Sequence, residues 1–182
     1  GLPLREGLHF VHRTLVDADL REGIRLIAAG KVATGFDMAR CFALGADLCN
    51  SARAMMMALG CIQARRCHTN ECPVGVATQD KRRSNGLVVA DKATRVAQYH
   101  RETVANFLEL VGSAGCTSPG QLDLGHVHRR IDHASVASYE DIYGSLNRHP
   151  QRRTGAVPEP GTETRVELPA AHGDRVRPLR AR

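Results

Sequence analysis

The chain has no tryptophan, and aromatic residues make up only 4% of its 182 positions. Proteins that grip single-stranded nucleic acid stack bases on aromatic rings, and here no ring lies among the clustered arginines, so nucleic acid is not an expected partner. Also missing is any apolar run near the roughly 20 residues a membrane-spanning helix needs, so no membrane span is expected. Internal repeats are absent too, which excludes the solenoid and propeller classes.

What is present in excess is positive charge, but it is unevenly placed. The formal net charge is +6, and residues 151–182 hold seven Arg against four acidic side chains, or +3 of that total. Residues 150–182 also hold five of the eight prolines and few large apolar residues. That composition cannot bury enough surface to offset chain entropy, and 147–182 is expected to be a disordered Arg- and Pro-rich tail. A soluble chain in a reducing, cytoplasmic compartment is the expected setting.

Three cysteines carry the strongest chemical signal. Cys61, Cys67 and Cys72 follow the pattern C-x5-C-x4-C, with Pro73 directly after the last. The C-x2-C pair of common zinc knuckles is absent, and a proline after the final cysteine occurs in ferredoxin cluster loops. The spacing leaves two readings open: thiolate ligands of an iron–sulfur cluster, or unliganded thiols packed as small apolar residues.

Hydrophobic spacing sets the local structure around them. Leu4, Leu8, Val11, Leu15 and Val16 predict a helix over 3–18, with Pro3 suited to its first turn. The short apolar run 24–29, ending at Gly30, reads as a buried parallel strand. A helix over 35–44 follows, with Thr34 as its cap and Gly45 as its stop. Residues 46–49 read as the next strand, Asn50-Ser51 as turn and cap, and 52–59 as a third helix with its three methionines in the core. A long amphipathic helix is expected over 91–112, with Ala93, Val96, Ala97, His100, Val104, Phe107, Leu108 and Val111 on one face, then shorter helices near 118–124 and 138–146. The alternation of helix and short strand predicts an α/β fold with a parallel sheet.

In such folds ligands bind at the carboxyl ends of strands, where the next helix offers unpaired N–H groups to an anion. The first strand delivers Gly30-Lys31 and the second delivers Asn50-Ser51-Ala52-Arg53. Arg53 in a first helical turn opposes the helix dipole, and a bound anion is one good reason for it. The consecutive pair resembles the phosphate site formed by the last two strands of a barrel.

At these residues the chain resembles the flavin-binding synthase domain of glutamate synthase, and more closely the FMN-binding glutamate synthase family proteins. The likeness runs from Gly1 to about Gln79, more loosely to about 145, and is strongest over Leu59-Gly60-Cys61, Cys67-His68-Thr69-Asn70 and Cys72 to Gln79. The resemblance implies that Cys61, Cys67 and Cys72 bind a [3Fe-4S] cluster, with Pro73 and Gly75 shaping the loop and His68 a neighbour. It implies a (β/α)8 TIM barrel whose last two βα units are present here, and an FMN phosphate held by Gly30, Lys31, Asn50, Ser51, Ala52 and Arg53. The reaction it implies is reductive amination of 2-oxoglutarate to L-glutamate, with ammonia or glutamine supplying nitrogen and an NAD(P)H-linked subunit or ferredoxin supplying electrons. It assigns no acid or base. The large glutamate synthases carry Asp-Gly-Gly where this chain has Ala29-Gly30-Lys31, and Gly-x-Gly-Thr where it has Asn50 to Arg53.

Four segments are therefore expected: barrel units over 1–60, a cluster loop over 61–79, a helical extension over 80–146 and the tail. A barrel takes about 200 residues or more, so an upstream barrel segment is expected to supply the remaining strands. The inosine monophosphate dehydrogenase group has similar late strands but a single catalytic cysteine after an earlier one. A small metal module, with His68 completing a zinc site, is the non-enzymatic alternative. Cys41, Cys49 and Cys116 are expected to be structural, and His126, His128 and His133 surface residues.

Overall fold

A computed structural model describes residues 1–144. The expected disordered tail and the end of the last expected helix lie outside them. Helix α1 (Leu4–Asp17) leads through a short 3-10 turn (Arg21–Gly23) to strand β1 (Ile27–Ala29). Helix α2 (Gly35–Ala43), strand β2 (Leu48–Asn50) and helix α3 (Ala52–Ala58) follow. After the cysteine loop come a single turn, α4 (Lys81–Ser84), and the long α5 (Val89–Ser113).

The two strands are parallel, with Ile27 opposite Leu48 and Ala29 opposite Asn50. Their central positions face a core in which Ala28, Ala39, Cys41 and Leu44 meet Phe107 and Val111 of α5. Phe42 and Phe107 pack with ring centroids 5.1 Å apart. The other sheet face is bare: Ile27 and Leu48 are each 55% exposed. Paired apolar side chains left in water on one face are what an α/β sheet shows when covering elements are missing.

Beyond α5 the first of the two expected short helices is replaced by a 3-10 turn. Residues 118–124 form a 3-10 turn (Pro119–Gln121), and a second such turn (Leu124–His126) precedes an antiparallel hairpin of β3 (His128–Arg130) and β4 (Val136–Ser138). The hairpin is closed by Asp132, whose carboxylate accepts the N–H groups of Ala134 and Ser135. Helix α6 (Tyr139–Tyr143) then begins on a capping box between Ser138 and Asp141. The methionine run is only partly in the core, since Met57 is exposed on α3, and Leu108 of α5 is exposed as well.

Arg21 joins the approaches to both strands. Its guanidinium donates to Ile24 O (2.7 Å), Gly45 O (2.8 Å), Asp47 Oδ2 (2.8 Å) and His12 Nδ1 (3.1 Å). Asp47 Oδ2 also accepts the Leu26 N–H at 2.7 Å, which fixes where β1 starts. His12 accepts from a cation, so it must stay neutral. Burial, then Arg21, His9 and Arg13, push it down to about 4, against the pull of Asp47. A folded-state value below the unfolded 6.5 means the stabilisation is complete above about pH 6.5 and is lost as pH falls toward 4. Urea midpoints are expected to drop across this window, ahead of carboxylate titration, and His12→Gln, which keeps an acceptor for Arg21, is expected to flatten that limb. An unchanged slope in the variant would show that His12 is not the titrating group.

Candidate functional site

The first part of the site is the pair of strand ends. The β1–β2 register sets Ala29 beside Asn50, so Gly30-Lys31 and Asn50-Ser51 leave the sheet as neighbours. Lys31 takes a left-handed conformation (φ 57°) and is exposed, as are Ala52 and Arg53 at the start of α3. Neither cation has an ion-pair partner among the described residues. Ser51 occupies the N-cap position of α3 but does not cap it. Its hydroxyl donates instead to Val32 O at 2.7 Å, tying one strand-end loop to the other.

Two further contacts hold the first loop. Thr34, the expected cap of α2, forms a capping box with Asp37. Burial pushes the Asp37 carboxyl up, but the Ala33 N–H, the Thr34 hydroxyl, Arg40 and the Thr34 N–H outweigh it and hold the group below the usual carboxylate range. From the far side, the Tyr99 hydroxyl of α5 donates to Ala33 O. Sequence reasoning missed Tyr99; its signal was its position three residues after Val96 and four before Thr103 on one helical stripe. Beside this loop a cavity of about 960 Å³ opens between α1 and the end of β1, with Leu4, Arg5, Gly30, Lys31 and Arg40 in its wall.

The second part is the cysteine loop, which α3 joins to Arg53. Three of the five non-glycine residues with left-handed φ among the described residues lie in it: Gln63 (57°), Arg65 (58°) and Asn70 (62°). Such backbone persists only where neighbours impose it, and it gathers at functional sites. Here Asn70 Oδ1 accepts the Gln79 N–H (2.5 Å) and the Thr78 hydroxyl (3.1 Å), and Arg83 donates to Glu71 O (3.0 Å). Gly75 (φ 75°) passes so close to α4 that a Cβ there would sit 2.5 Å from Arg83 O.

Cys72 is buried at the centre of this loop. Backbone N–H groups, those of Ala77 and Val74 foremost and then Val76 and Gly75, act on its sulfur and hold the thiol below the ordinary thiol range, outweighing the effect of burial. A nest of amides around one sulfur is an anion-binding device of the kind used at iron–sulfur sites. Cys61 is half-buried and its sulfur accepts the Gln63 N–H at 3.4 Å, while Cys67 and His68 are exposed. All three thiols are free. This donor set fits a group bound by thiolates. Among the described residues no three Cys, His, Asp or Glu side chains already stand close enough to share one ion. The structure thus brings the strand ends together and sets backbone amides near the Cys72 sulfur, without gathering the other two sulfurs around it.

Comparison with known proteins agrees with this layout. The family model described as "Conserved region in glutamate synthase" matches residues 1–117. The glutamate synthase large subunit-like protein YerD of Bacillus subtilis is 37% identical over 142 residues, 78% of this chain and 27% of that protein. The NADPH glutamate synthase large chain of Azospirillum brasilense is 36% identical over 136 residues, 73% of this chain and 9% of that one. The ferredoxin-dependent glutamate synthase of Cyanidium caldarium is 51% identical over 79 residues, 43% of this chain and 5% of that one. The chain therefore spans about a quarter or less of each of these relatives. With the matched region running from α1 through the cysteine loop to the end of α5, the chain belongs to the glutamate synthase family.

Proposed function

We propose that this chain is the last quarter of a glutamate synthase-type flavin domain, an oxidoreductase unit that binds the FMN phosphate and a [3Fe-4S] cluster. The observation that supports it most is the lowering of the Cys72 thiol by nearby backbone N–H groups, those of Ala77 and Val74 foremost, within the region the family model matches. Cys61, Cys67 and Cys72 would hold the cluster. Gly30, Lys31, Asn50, Ser51, Ala52 and Arg53 would hold the phosphate. When bound, these groups supply hydride and single-electron transfer for the reductive amination of 2-oxoglutarate, with ammonia or glutamine as nitrogen source.

The chain's own residues bind and orient. Lys31 and Arg53 supply charge at adjacent strand ends, and the Ser51 hydroxyl and Tyr99 lock the loop that carries Lys31. Fixing those loops before the ligand arrives reduces the ordering cost of binding. The Cys72 nest lowers the cost of a thiolate there and of negative charge beside it. Relatives are named for both ferredoxin and NADPH, so either donor type suits the electron supply. The bare face at Ile27 and Leu48 supports an upstream barrel segment that covers it.

The test is metal and flavin analysis of the full-length polypeptide that carries this chain, purified anaerobically. Expected are iron and acid-labile sulfide in the ratio the cluster formula sets, flavin absorption bands, and 2-oxoglutarate-dependent glutamate formation; residues 1–182 alone are expected to show no turnover. Zinc with a colourless preparation would replace this reading with the metal-module alternative. Robust turnover by residues 1–182 alone would overturn the assignment to a partial barrel.

A further inference from the structure

A strongly charged surface surrounds the cysteine loop. Residues 61–95 carry seven Lys and Arg against three acidic side chains, or +4, whereas the other described residues carry ten against twelve, or −2. The positive charge of the described chain is therefore local. Five of the seven cations lie in the loop and on the turn beside it: Arg65, Arg66, Lys81, Arg82 and Arg83, all exposed. Two of them meet at one acidic residue, since Arg66 Nη1 lies 3.5 Å from Glu71 Oε2 and Arg83 Nη1 donates to Glu71 O at 3.0 Å. The loop and α4 thus share one basic face. Arg65, Lys81 and Arg82 have no ion-pair partner among the described residues.

That face is held in place before any partner arrives. Asp80 Oδ1 accepts the Arg82 N–H at 2.9 Å, which starts α4, and Gly75 of the loop passes against the Arg83 carbonyl. Little ordering is left to be done on binding. Within the same loop Ile62, directly after Cys61, is 67% exposed. Charge with an apolar contact among it is the make-up of a protein docking surface, where the charge speeds the encounter and the apolar contact slows departure. Two other kinds of anion fit less well. All five cations are exposed, whereas a small-molecule site encloses most of its ligand. Residues 61–95 contain no Phe, Tyr or Trp on which nucleic-acid bases would stack.

We propose that the basic face formed by Arg65, Arg66, Lys81, Arg82 and Arg83 docks a small acidic protein, with Ile62 as its apolar contact. That this partner is a carrier of single electrons rests on the proposed cluster in the loop; the docking surface itself does not. Cys67 is exposed on the same loop, so a docked carrier stands against the segment that would hold the cluster. Attraction between the local excess of positive charge and an acidic surface raises the association rate and is screened by salt.

The experiment measures, by surface plasmon resonance, the binding of an acidic plant-type [2Fe-2S] ferredoxin to the full-length polypeptide that carries this chain, with iron assayed on the same preparation. Binding is expected, and it is expected to weaken at least about tenfold between about 20 and 200 mM salt. The double variant Lys81→Glu, Arg82→Glu is expected to lose at least about tenfold in affinity, mostly through slower association, and Ile62→Ser several-fold, mostly through faster dissociation. The pair Arg129→Glu, Arg130→Glu reverses an equal charge on the β3–β4 hairpin and is expected to bind like the parent. Circular dichroism checks folding, and Ile62→Ser, which keeps every cation, decides should the charge reversal fail to fold. No binding by iron-loaded protein, or parent-like affinity in the folded variants, would overturn the docking surface and leave the cluster reading standing. Heparin bound more tightly than ferredoxin, and lost in the same double variant, would overturn the protein partner in favour of a polyanion. Iron-free protein that still binds ferredoxin through Lys81 and Arg82 would support the surface and overturn the electron-carrier role.

Discussion

Replacing Cys72 by Ala is expected to strip iron and acid-labile sulfide from the full-length protein to below about a tenth of the parent level, a far larger loss than any other single cysteine outside the loop would cause. Two effects act together. The substitution removes one of the three proposed ligands, and it takes the sulfur away from the backbone N–H groups, Ala77 and Val74 foremost, that act on it. Donors that lose an acceptor are costly, so the turn that presents Pro73 and Gly75 is expected to rearrange as well. Gly75 allows little adjustment, because any shift toward α4 brings it against the Arg83 carbonyl. Cys116→Ala is the matched control and is expected to retain full iron. Cys72→Ser is the finer probe, since an oxygen keeps an acceptor within the nest; it is expected to hold the loop while losing most of the iron. Cys72→Ala protein with parent-level iron and sulfide would remove Cys72 from the ligand set.

How far the sequence exposed this architecture can be judged from particular residues. The elements α1, β1, α2, β2 and α3 were readable from their punctuation at Pro3, Gly30, Thr34, Gly45 and Asn50-Ser51, and α5 from its apolar stripe. The strand ends were readable because parallel topology follows from the element order, and the register then sets Ala29 beside Asn50. The hairpin was not readable. All three residues of β3 are exposed, so it has no alternation of apolar and polar positions to betray a strand, and its histidines suggested only a surface. The turn residue Asp132 and the Ser138–Asp141 box were the available signals. The contact between Cys116 and His126 was hidden because it forms only through the 3-10 turn after α5. Spacing along a chain carries no information about a contact that a turn creates. The role of Tyr99 was hidden for the same reason: its acceptor, Ala33, is 66 residues away.

Gly45→Ala tests the clamp that holds both strands, and it is expected to cost about 3–5 kcal/mol, a large share of a typical domain's stability. Gly45 has φ 101°, a region in which a Cβ is strained whatever the space. Space is also lacking: the new Cβ would lie 2.2 Å from His12 Cγ and 2.3 Å from His12 Nδ1. To relieve that overlap the imidazole must leave, and with it goes the acceptor for Arg21 Nε. The Gly45 carbonyl is itself an Arg21 acceptor, so a backbone shift would break a second contact and misplace the charge facing Asp47. Asp47 in turn fixes the Leu26 amide at the entry to β1, which puts the damage in the sheet that carries both strand-end loops. Gly115→Ala separates backbone strain from collision. Its φ is 78° but nothing lies within 4 Å of the added Cβ, so it is expected to cost only about 1–2 kcal/mol. The double variant His12→Ala, Gly45→Ala isolates the overlap: if the ring is what the Cβ strikes, the two changes are expected to be less costly together than their sum by about 1–2 kcal/mol. Urea unfolding, with hydrogen exchange at the Leu26 and Leu48 amides, reads both quantities. A Gly45→Ala cost no larger than that of Gly115→Ala would mean that His12 and Arg21 do not hold the strands as a unit.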